Sequence, residues 1–290
     1  MIIAACGAMA SQAMAKNWSV KLYGDIGVAK PMSLTTALPG LSTKSTSNAF
    51  GVDFGYNFWS LGKNSLGVNL GIGYRPTSAT FNLEAMEYSY SAPASADMDG
   101  NPYIRHTSLS PMKQKITLGY FTIPIYLQYG FKATKAFGVY AEAGVGLGFR
   151  CGGKLGSVEG TAYTYGVYPE YDDLQIDAPY LNDFGERDLS GASKGTPEMK
   201  GFYASVLVGA GVQFYVAEPV SIDLGIRYNA GLTDVFTGKY DITPETALNA
   251  ETAPVVYTVA DGQQVRPLSD YVTKSRLNPL SIHVGVTVRF

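Results

Sequence analysis

The most constraining feature of this chain is a two-residue alternation of apolar positions with polar or glycine positions, sustained over eight separate segments. In one segment, Val139, Ala141 and Ala143 alternate with Tyr140 and Glu142. Because successive side chains of a strand point to opposite faces, each segment predicts a β-strand with one apolar and one polar face. The predicted strands cover residues 18–28, 48–58, 66–75, 115–131, 137–150, 202–215, 220–229 and 280–290.

The fourth segment changes phase, because Ile116 and Leu118 fall on even positions whereas its later apolar residues fall on odd ones. We expect a β-bulge near Gly119 and Tyr120 to absorb one residue, so that a single face stays apolar along the strand. The same segment contains Pro124, which removes one donor from the hydrogen-bond ladder and is unusual inside a sheet.

The links between the segments alternate in length. Those after the second, fourth and sixth are about three to six residues, and those after the first, third, fifth and seventh are about 19 to 49 residues. A soluble β-sandwich or lipocalin has no reason to sort its loops by end. Short turns at one end and long loops at the other are typical of a barrel that spans the outer membrane of a bacterium.

Aromatic residues bracket several of the apolar faces, as Phe137 and Phe149 do. On a tilted strand this spacing covers roughly 25 to 30 Å along the membrane normal, the height of a lipid-facing band. The opposite faces hold the charged residues and much glycine, which suits the crowded inside of a narrow barrel. The sequence therefore predicts an all-β fold, an eight-stranded antiparallel up-and-down transmembrane β-barrel with short periplasmic turns and long extracellular loops.

Composition agrees with this fold class and excludes others. The chain has 33 Gly and 21 Tyr but only 16% charged residues, which is typical of a protein made of many strands and turns. It contains no run of 18 apolar residues, so no transmembrane helix is predicted. The net charge is −2 and no basic stripe is present, so nucleic acid is not an expected partner.

Residues 1–15 are apolar and small, and Ala13, Met14 and Ala15 have the form of a signal-peptidase site. We therefore expect a signal peptide at 1–15, followed by the barrel at 16–290. Because the usual positively charged start is missing, we expect the signal to begin farther upstream.

Two other interpretations of this segment stay open. It could form a buried helix, or Cys6 could be the acylated residue of a lipoprotein, although the apolar stretch continues past it. After cleavage only Cys151 remains, so no internal disulfide is expected, and no zinc-site spacing is present.

Two stretches resemble known outer-membrane families. The alternating segment 281–290, ending in Phe290, resembles the C-terminal signature of outer-membrane proteins. That resemblance implies that Phe290 belongs to an assembly signal read by the barrel-assembly machinery. The segment 121–129 resembles the strand with an Ile-Pro pair in the outer-membrane β-barrel domain family, which includes PorT-like proteins and OmpA-like eight-stranded barrels. It implies location in the outer membrane, in contact with lipid and lipopolysaccharide.

By parity, several charged side chains point into the barrel. An eight-stranded barrel is just wide enough to be filled by side chains, so we expect these charges to form an ion-pair network that closes the interior. A proton or ion path is the alternative. The expected lumen polar network is Lys21, Asp25, Asp53, Glu142, Asp223, Arg227 and His283, with Arg75, Lys115 and Arg150 nearer the external rim.

The long loops are the expected functional surface, because rigid scaffolds often carry function on their loops. Residues 151–199 combine tyrosines with acidic residues, which fits either recognition of an unknown extracellular ligand or tyrosines at the membrane surface and acids in solvent. Calcium binding is conceivable from the acids, but no EF-hand spacing is present. The tyrosines are Tyr163, Tyr165, Tyr168, Tyr171 and Tyr180, and the acids are Asp172, Asp173, Asp177, Asp183, Glu186 and Asp188.

A lipid-modifying enzyme on this barrel would need a histidine base at the outer rim. The loop residue His106, beside Thr107, Ser108 and Ser110, is the only candidate, and the sequence fixes no partner for it. We expect no catalytic residue, cofactor or metal site. The sequence thus favours a structural, adhesive or surface-recognition role, with a narrow channel or transporter for small or apolar solutes as the alternative.

Overall fold

The computed structural model describes residues 17–36, 38, 40–96, 99–178, 184–189, 199–236, 257–258, 264–265 and 268–290. The expected signal peptide at 1–15 lies outside these residues. Within them, the chain forms 18 strands. They are β1 Trp18–Gly27, β2 Met32–Thr36, β3 Leu41–Ser47, β4 Ala49–Leu61, β5 Asn64–Leu83, β6 Met86–Ala96, β7 Pro102–Leu109, β8 Met112–Phe131, β9 Phe137–Glu159, β10 Thr161–Tyr168, β11 Leu174–Ile176, β12 Gly185–Asp188, β13 Phe202–Ala217, β14 Val220–Gly231, β15 Tyr257–Thr258, β16 Gln264–Val265, β17 Val272–Leu277 and β18 Leu280–Arg289.

Eight of these strands close into a ring, which confirms the predicted barrel. The order around the ring is β1, β4, β5, β8, β9, β13, β14 and β18, and every neighbouring pair is antiparallel. Closure is provided by β1 against β18, with Val20 opposite Val288. All eight predicted segments lie in these strands, and short turns join β4 to β5, β8 to β9 and β13 to β14.

The two faces of the ring differ as the alternation predicts. Phe54 is 51% exposed and Val284 is 40% exposed on the outer face, whereas Asp53 and Glu142 on the inner face are 0% and 4% exposed. Apolar side chains that stay exposed over a whole sheet need an apolar solvent, which lipid provides. The polar side chains of the same strands lie on the inner face. The ring is therefore a membrane barrel with lipid outside, and a soluble β-domain is excluded.

Three strands are longer than predicted. β5, β8 and β9 have 20, 20 and 23 residues, about twice the length that crosses a bilayer. Their outer halves rise above the membrane, where β3 pairs with β5. The long loops thus begin as continuations of the wall of the barrel.

A β-bulge lies at the predicted position, but not in the predicted strand and not for the predicted reason. The pairing of β8 with β9 does shift beside Gly119 and Tyr120, but the extra residue is Cys151 of β9. β8 keeps one parity throughout, so Ile116 and Leu118 point inward and are buried. They are apolar because the inside of the barrel becomes apolar above the membrane.

This apolar filling, which we call the outer core, lies inside the extracellular half of the barrel. It combines the inward side chains of the extended strands with residues from β2, β17 and the 3-10 helix Leu268–Tyr271. Its buried members include Met32, Leu41, Phe81, Leu83, Met112, Ile116, Leu118, Leu155, Val158, Val235, Phe236, Leu268, Val272 and Leu277.

Pro124 is accommodated by a glycine on the neighbouring strand. Its ring lies against Gly71, where an added Cβ would also collide with the carboxylate of Asp53. The pairing of β5 with β8 is interrupted at this level. The backbone N–H that proline lacks is therefore missing at a point where the two strands are not paired. Glycine at position 71 thus makes room for both the proline ring and a buried acid.

A second sheet stands outside the barrel. It has the order β6, β7, β10 and β11, and β12 also pairs with β10. The other elements of the described residues are two two-stranded sheets, β2 with β17 and β15 with β16, and two 3-10 helices, Pro169–Tyr171 and Leu268–Tyr271. In the described ranges, no helix has the length and apolar character needed to cross a bilayer.

Candidate functional site

The interior of the barrel brings most of the expected charged residues together around Asp25. The Nδ1 atom of His283 lies 2.6 Å from the Asp25 carboxylate, the Nη1 atom of Arg227 lies 3.5 Å from it, and the Nη2 atom of Arg75 lies 3.9 Å from it. All four residues are buried. Arg75, which we expected nearer the rim, therefore lies inside this cluster.

Arg227 links this cluster to a second acid. Its Nε atom donates to Glu142 at 2.6 Å, and its Nη2 atom donates to the other carboxylate oxygen at 3.2 Å. The guanidinium also stacks near the rings of Tyr23 and Tyr126, 5.3 and 5.2 Å from their centres. A planar guanidinium suits two-pronged contact with a carboxylate and contact with aromatic faces, whereas an ammonium does not.

Lys21 and two further acids lie one layer closer to the periplasm. The Lys21 ammonium is 3.5 Å from Asp223, which also accepts hydrogen bonds from Thr287 at 2.8 Å and Gln213 at 3.1 Å. Asp53 accepts a hydrogen bond of 2.5 Å from the hydroxyl of Tyr126. The seven residues expected in the lumen are thus all buried, and each has a polar partner.

Sequence reasoning missed the tyrosines that fill the space between these charges. Tyr23, Tyr126, Tyr140 and Tyr203 are all buried inside the barrel. The signal was present, since Tyr23 shares its strand face with Lys21, as Tyr140 does with Glu142. Glycines on neighbouring strands leave room for the rings, because an added Cβ at 51, 148 or 225 would meet a tyrosine.

Of the other two residues expected near the rim on the inside, Lys115 is not in the lumen. Lys115 is exposed and has the outward parity of β8, whereas Arg150 is exposed but lies opposite Tyr120, which points inward. The prediction for Lys115 failed because the extra residue of the bulge was placed in β8, whereas it belongs to β9.

A polar cavity of about 240 Å³ opens at the periplasmic end of the barrel. Lys21 and Gln213 form its inner part, and residues of the short turns, such as Lys63 and Lys132, form its mouth. The cavity is thus continuous with the periplasm, while the outer core lies at the other end.

The external sheet presents an aromatic stripe on one face. The ring of His106 stacks on Tyr165 with a centroid distance of 4.8 Å and an interplanar angle of 6°, and Tyr163 lies 5.9 Å from Tyr165. The hydroxyl of Tyr163 donates to Asp177 at 2.9 Å, and this bond raises the pKa of the tyrosine. We call these three rings, with Ile104 of the same face, the aromatic stripe.

The other face of the sheet is packed. Tyr103, Tyr168 and Phe184 form a buried cluster, and Thr107 bonds Thr164 at 3.2 Å. Of the acidic loop residues, Asp177 and Glu186 adjoin the sheet, and Tyr180 and Asp183 lie outside the described residues. In the described segments, no group of three or more His, Cys, Asp or Glu residues is placed to hold a metal ion.

The candidate base His106 lies in the external sheet. It belongs to β7 rather than to a loop, and its contact is the stacking on Tyr165. Two of the three neighbouring hydroxyls have other partners, since Thr107 bonds Thr164 and Ser110 accepts from the amide of Thr161. Catalysis requires a base within hydrogen-bond reach of a nucleophile, and the described residues do not provide that pair here.

Phe290 lies at the periplasmic seam of the barrel. Its amide donates to the carbonyl of Trp18 at 3.0 Å, and the amide of Trp18 donates back to Phe290 at 3.2 Å. The phenylalanine ring is 46% exposed on the outer side.

A closed ring of eight strands, with an apolar outside and a polar inside, defines a transmembrane β-barrel of the bacterial outer membrane. Residues 13–237 match the family described as the outer membrane protein beta-barrel domain, and the chain belongs to that family. No protein with a curated description matches the chain in sequence.

Several solved structures are similar to the chain at 11% sequence identity. Neisserial surface protein A (NspA) matches with a TM-score of 0.36, covering 95% of this chain and 98% of that one. Ail, the attachment invasion locus protein of Yersinia pestis, in complex with the heparin analogue sucrose octasulfate, matches with a TM-score of 0.31 over 95% and 100%. The translocator domain of the autotransporter NalP from Neisseria meningitidis matches with a TM-score of 0.26 over 99% and 93%.

Proposed function

We propose that this protein is a closed, non-conducting and non-enzymatic barrel that holds a folded recognition surface outside the cell. The observation that carries the proposal is the outer core, because among the described residues an apolar packing fills the inside of the barrel at its extracellular end. Ions need a hydrated or polar path, and the buried side chains of Phe81, Met112 and Ile116 offer none.

The charged layer beneath the outer core supports the same conclusion. Arg227 is held by Glu142 and Asp25, and aromatic rings lie against its guanidinium. Moving it to open a path would leave the buried carboxylate of Glu142 unpaired and would take one partner away from Asp25, which costs several kcal/mol. The barrel interior therefore acts as a rigid filling.

The external sheet is the surface that such a barrel would display. The aromatic stripe combines flat, partly exposed rings with polar groups at their edges, such as Asp177 and Ser108. Rings of this kind supply contact area with little loss of side-chain entropy, and the flanking groups add directional hydrogen bonds. A carbohydrate or a protein loop with an apolar face would fit this combination.

The competing function is transport of a small solute, and the polar cavity at the periplasmic end favours it. Its inner part ends at Lys21, which is held by Asp223 and surrounded by the rings of Tyr126 and Tyr140. A solute entering from the periplasm would therefore meet the charged layer before the outer core.

Conductance in a planar lipid bilayer separates the two functions. The purified, refolded protein is expected to give no stable single-channel steps, while a porin in the same bilayers gives them. Reproducible steps would contradict a closed barrel and favour the transport function. Silence combined with a heat-dependent electrophoretic shift, which shows that the barrel was folded, supports our proposal.

The recognition surface needs its own test. The protein in detergent micelles would be applied to a glycan array, together with Tyr165→Ala and the control Tyr171→Ala. Tyr171 is also an exposed external tyrosine, but it lies outside the stripe. Glycan binding that is lost in Tyr165→Ala alone supports the stripe, whereas equal binding by all three proteins would contradict it.

A further inference from the structure

A row of aromatic residues marks where the barrel leaves the outer leaflet. Phe50, Tyr74, Phe121, Phe149 and Phe202 lie directly opposite one another across five neighbouring strands. All five are exposed on the outer face, and neighbouring rings approach to 5.7 and 5.4 Å at two places. Such girdles sit at the boundary between hydrocarbon and headgroups, so the row fixes the height of the membrane surface on this wall.

Three exposed lysines stand on the same outer face above this row. Lys44 of β3 and Lys115 of β8 both lie opposite Thr80 of β5, one on each side. Lys154 of β9 lies opposite Thr117, two residues along β8 from Lys115. Adjacent strands are about 4.8 Å apart, and diagonal neighbours are about 7 to 8 Å apart. The three lysines therefore lie in one patch that extends over β3, β5, β8 and β9.

The height of the patch matches the headgroup layer. Thr117 and Lys115 are four and six residues from Phe121 along β8. At about 3.3 Å per residue and a tilt near 40°, these positions lie about 10 and 15 Å above the aromatic row. Long lysine side chains can also lean back toward the membrane, which brings their ammonium groups into the headgroup layer.

A surface depression lies between the lysines and the aromatic row. Its volume is about 430 Å³, within the range of small-ligand sites. Its lining joins Tyr74 of the row to Lys154, with small residues such as Ser78 and Gly119 between them. It therefore offers space for a sugar directly beside Lys154, the one lysine of the three that lines it.

The described residues of the protein do not neutralise these three lysines. In the described part of the chain, no carboxylate forms an ion pair with Lys44, Lys115 or Lys154. Lys113 differs, because it lies directly opposite Glu159. Free ammonium groups at a headgroup layer attract phosphate, for which lysine acts as a point charge.

We infer that Lys44, Lys115 and Lys154, together with the depression above Tyr74, form a binding site for the phosphorylated sugar headgroup of lipopolysaccharide in the outer leaflet. Acyl chains of the same lipid would pack on the apolar wall below the aromatic row, where Leu70 and Ile125 are exposed. The site is independent of the aromatic stripe and of whether the barrel conducts.

The test measures binding of purified lipid A to the folded protein in detergent, by native mass spectrometry. The variant K44Q/K115Q/K154Q removes three charges at exposed positions and keeps the side-chain size. The control K63Q/K132Q/K135Q makes the same change in the short turns at the periplasmic end. Since each basic residue near an anionic surface contributes about a fivefold factor in binding, the first variant is expected to bind lipid A at least about tenfold more weakly, and the control is expected to bind it as the parent does.

Two further measurements test whether binding depends on the phosphates of lipid A and on the surface depression. Lipid A stripped of its phosphates is expected to bind the parent protein as weakly as bis-phosphorylated lipid A binds the triple variant. Ser78→Trp, which fills the depression without changing charge, is expected to weaken binding as well. The inference is overturned if the triple variant binds like the parent, if the periplasmic control loses as much, or if removing the phosphates has no effect. The boiling-dependent shift in electrophoresis verifies that each variant is folded.

Discussion

Arg227 and Glu142 form a two-pronged ion pair in the middle of the barrel, with nitrogen to oxygen distances of 2.6 and 3.2 Å and both side chains about 1% exposed. The two residues are 85 positions apart and come from β14 and β9, which are separated in the ring by β13. The pair therefore crosses the lumen face of an intervening strand and ties three strands together.

Removing this arginine is expected to destabilise the barrel strongly. Arg227→Met would leave Glu142 and Asp25 buried without their main cation, which should lower the free energy of unfolding by about 3 to 5 kcal/mol. Urea titration of the protein in lipid vesicles, followed by the fraction that keeps the folded electrophoretic mobility, measures the loss.

Two companion variants sharpen this prediction. Arg227→Lys keeps the charge but loses the planar contact, so we expect an intermediate stability. Arg276→Met removes an exposed arginine of β17 and should change the stability by no more than about 0.5 kcal/mol. A barrel in which Arg227→Met is as stable as Arg276→Met would contradict the role of the pair.

The outer core is expected to respond like the core of a soluble protein, although it lies in a membrane barrel. Phe81 is fully buried and packs edge-on against Phe236 at 6.0 Å. Phe81→Ala should therefore cost about 3 to 5 kcal/mol, because it leaves a cavity. The same substitution at the lipid-facing Phe54 should cost less, since lipid chains can fill the space. Equal losses in urea titration would indicate that the outer core is loosely packed.

Two glycines offer a matched pair of alanine substitutions. A Cβ at Gly71 would collide with the carboxylate of Asp53 and the ring of Pro124, whereas a Cβ at Gly24 would have no neighbour within 4 Å. We expect Gly71→Ala to lower the free energy of unfolding by about 1 to 3 kcal/mol and Gly24→Ala to change it by about 0.5 kcal/mol or less. Thermal unfolding followed by circular dichroism would detect the difference. A larger loss of stability in Gly24→Ala than in Gly71→Ala would show that the interior is not crowded at Gly71.

The exposed Cys151 reports the orientation of the barrel. It lies above the aromatic row on the side of the long loops, so a maleimide that does not cross membranes should label it on intact cells. Lys63→Cys in a Cys151→Ser background places the thiol in a short turn and should be labelled only after the cells are opened. Labelling of Lys63→Cys alone on intact cells would show that the barrel is inserted the other way.

The sequence predicted the barrel because membrane burial imposes a strict rule on each strand. Every apolar residue such as Phe54 or Val284 had to face lipid, and every charge such as Asp53 had to face inward. With eight such strands and loops sorted by length, closure was the only way to satisfy the backbone in lipid. The strand ends nearest the periplasm were accordingly the best predicted.

The same rule failed where the strands leave the membrane. Ile116 and Leu118 were assigned to lipid because they are apolar, yet above the aromatic row an apolar residue points inward to the outer core. Alternation shows which residues share a face, but it does not show what covers that face. The outer core and the outward position of Lys115 could therefore be found only from the structure. The external sheet was equally hidden, since it depends on pairing between β7 and β10, which are far apart in sequence.

The pairing of β1 with β18 has a consequence for biogenesis. Nine residue pairs join these strands, and the backbones of Trp18 and Phe290 are hydrogen-bonded to each other at the seam. Until β18 arrives, β1 and β14 each carry a full row of unsatisfied amides and carbonyls, which hydrocarbon does not tolerate. Insertion must therefore be completed in one concerted event or proceed under a chaperone that shields both edges, and a nascent protein halted before its final hairpin would be a substrate for degradation rather than a smaller membrane protein.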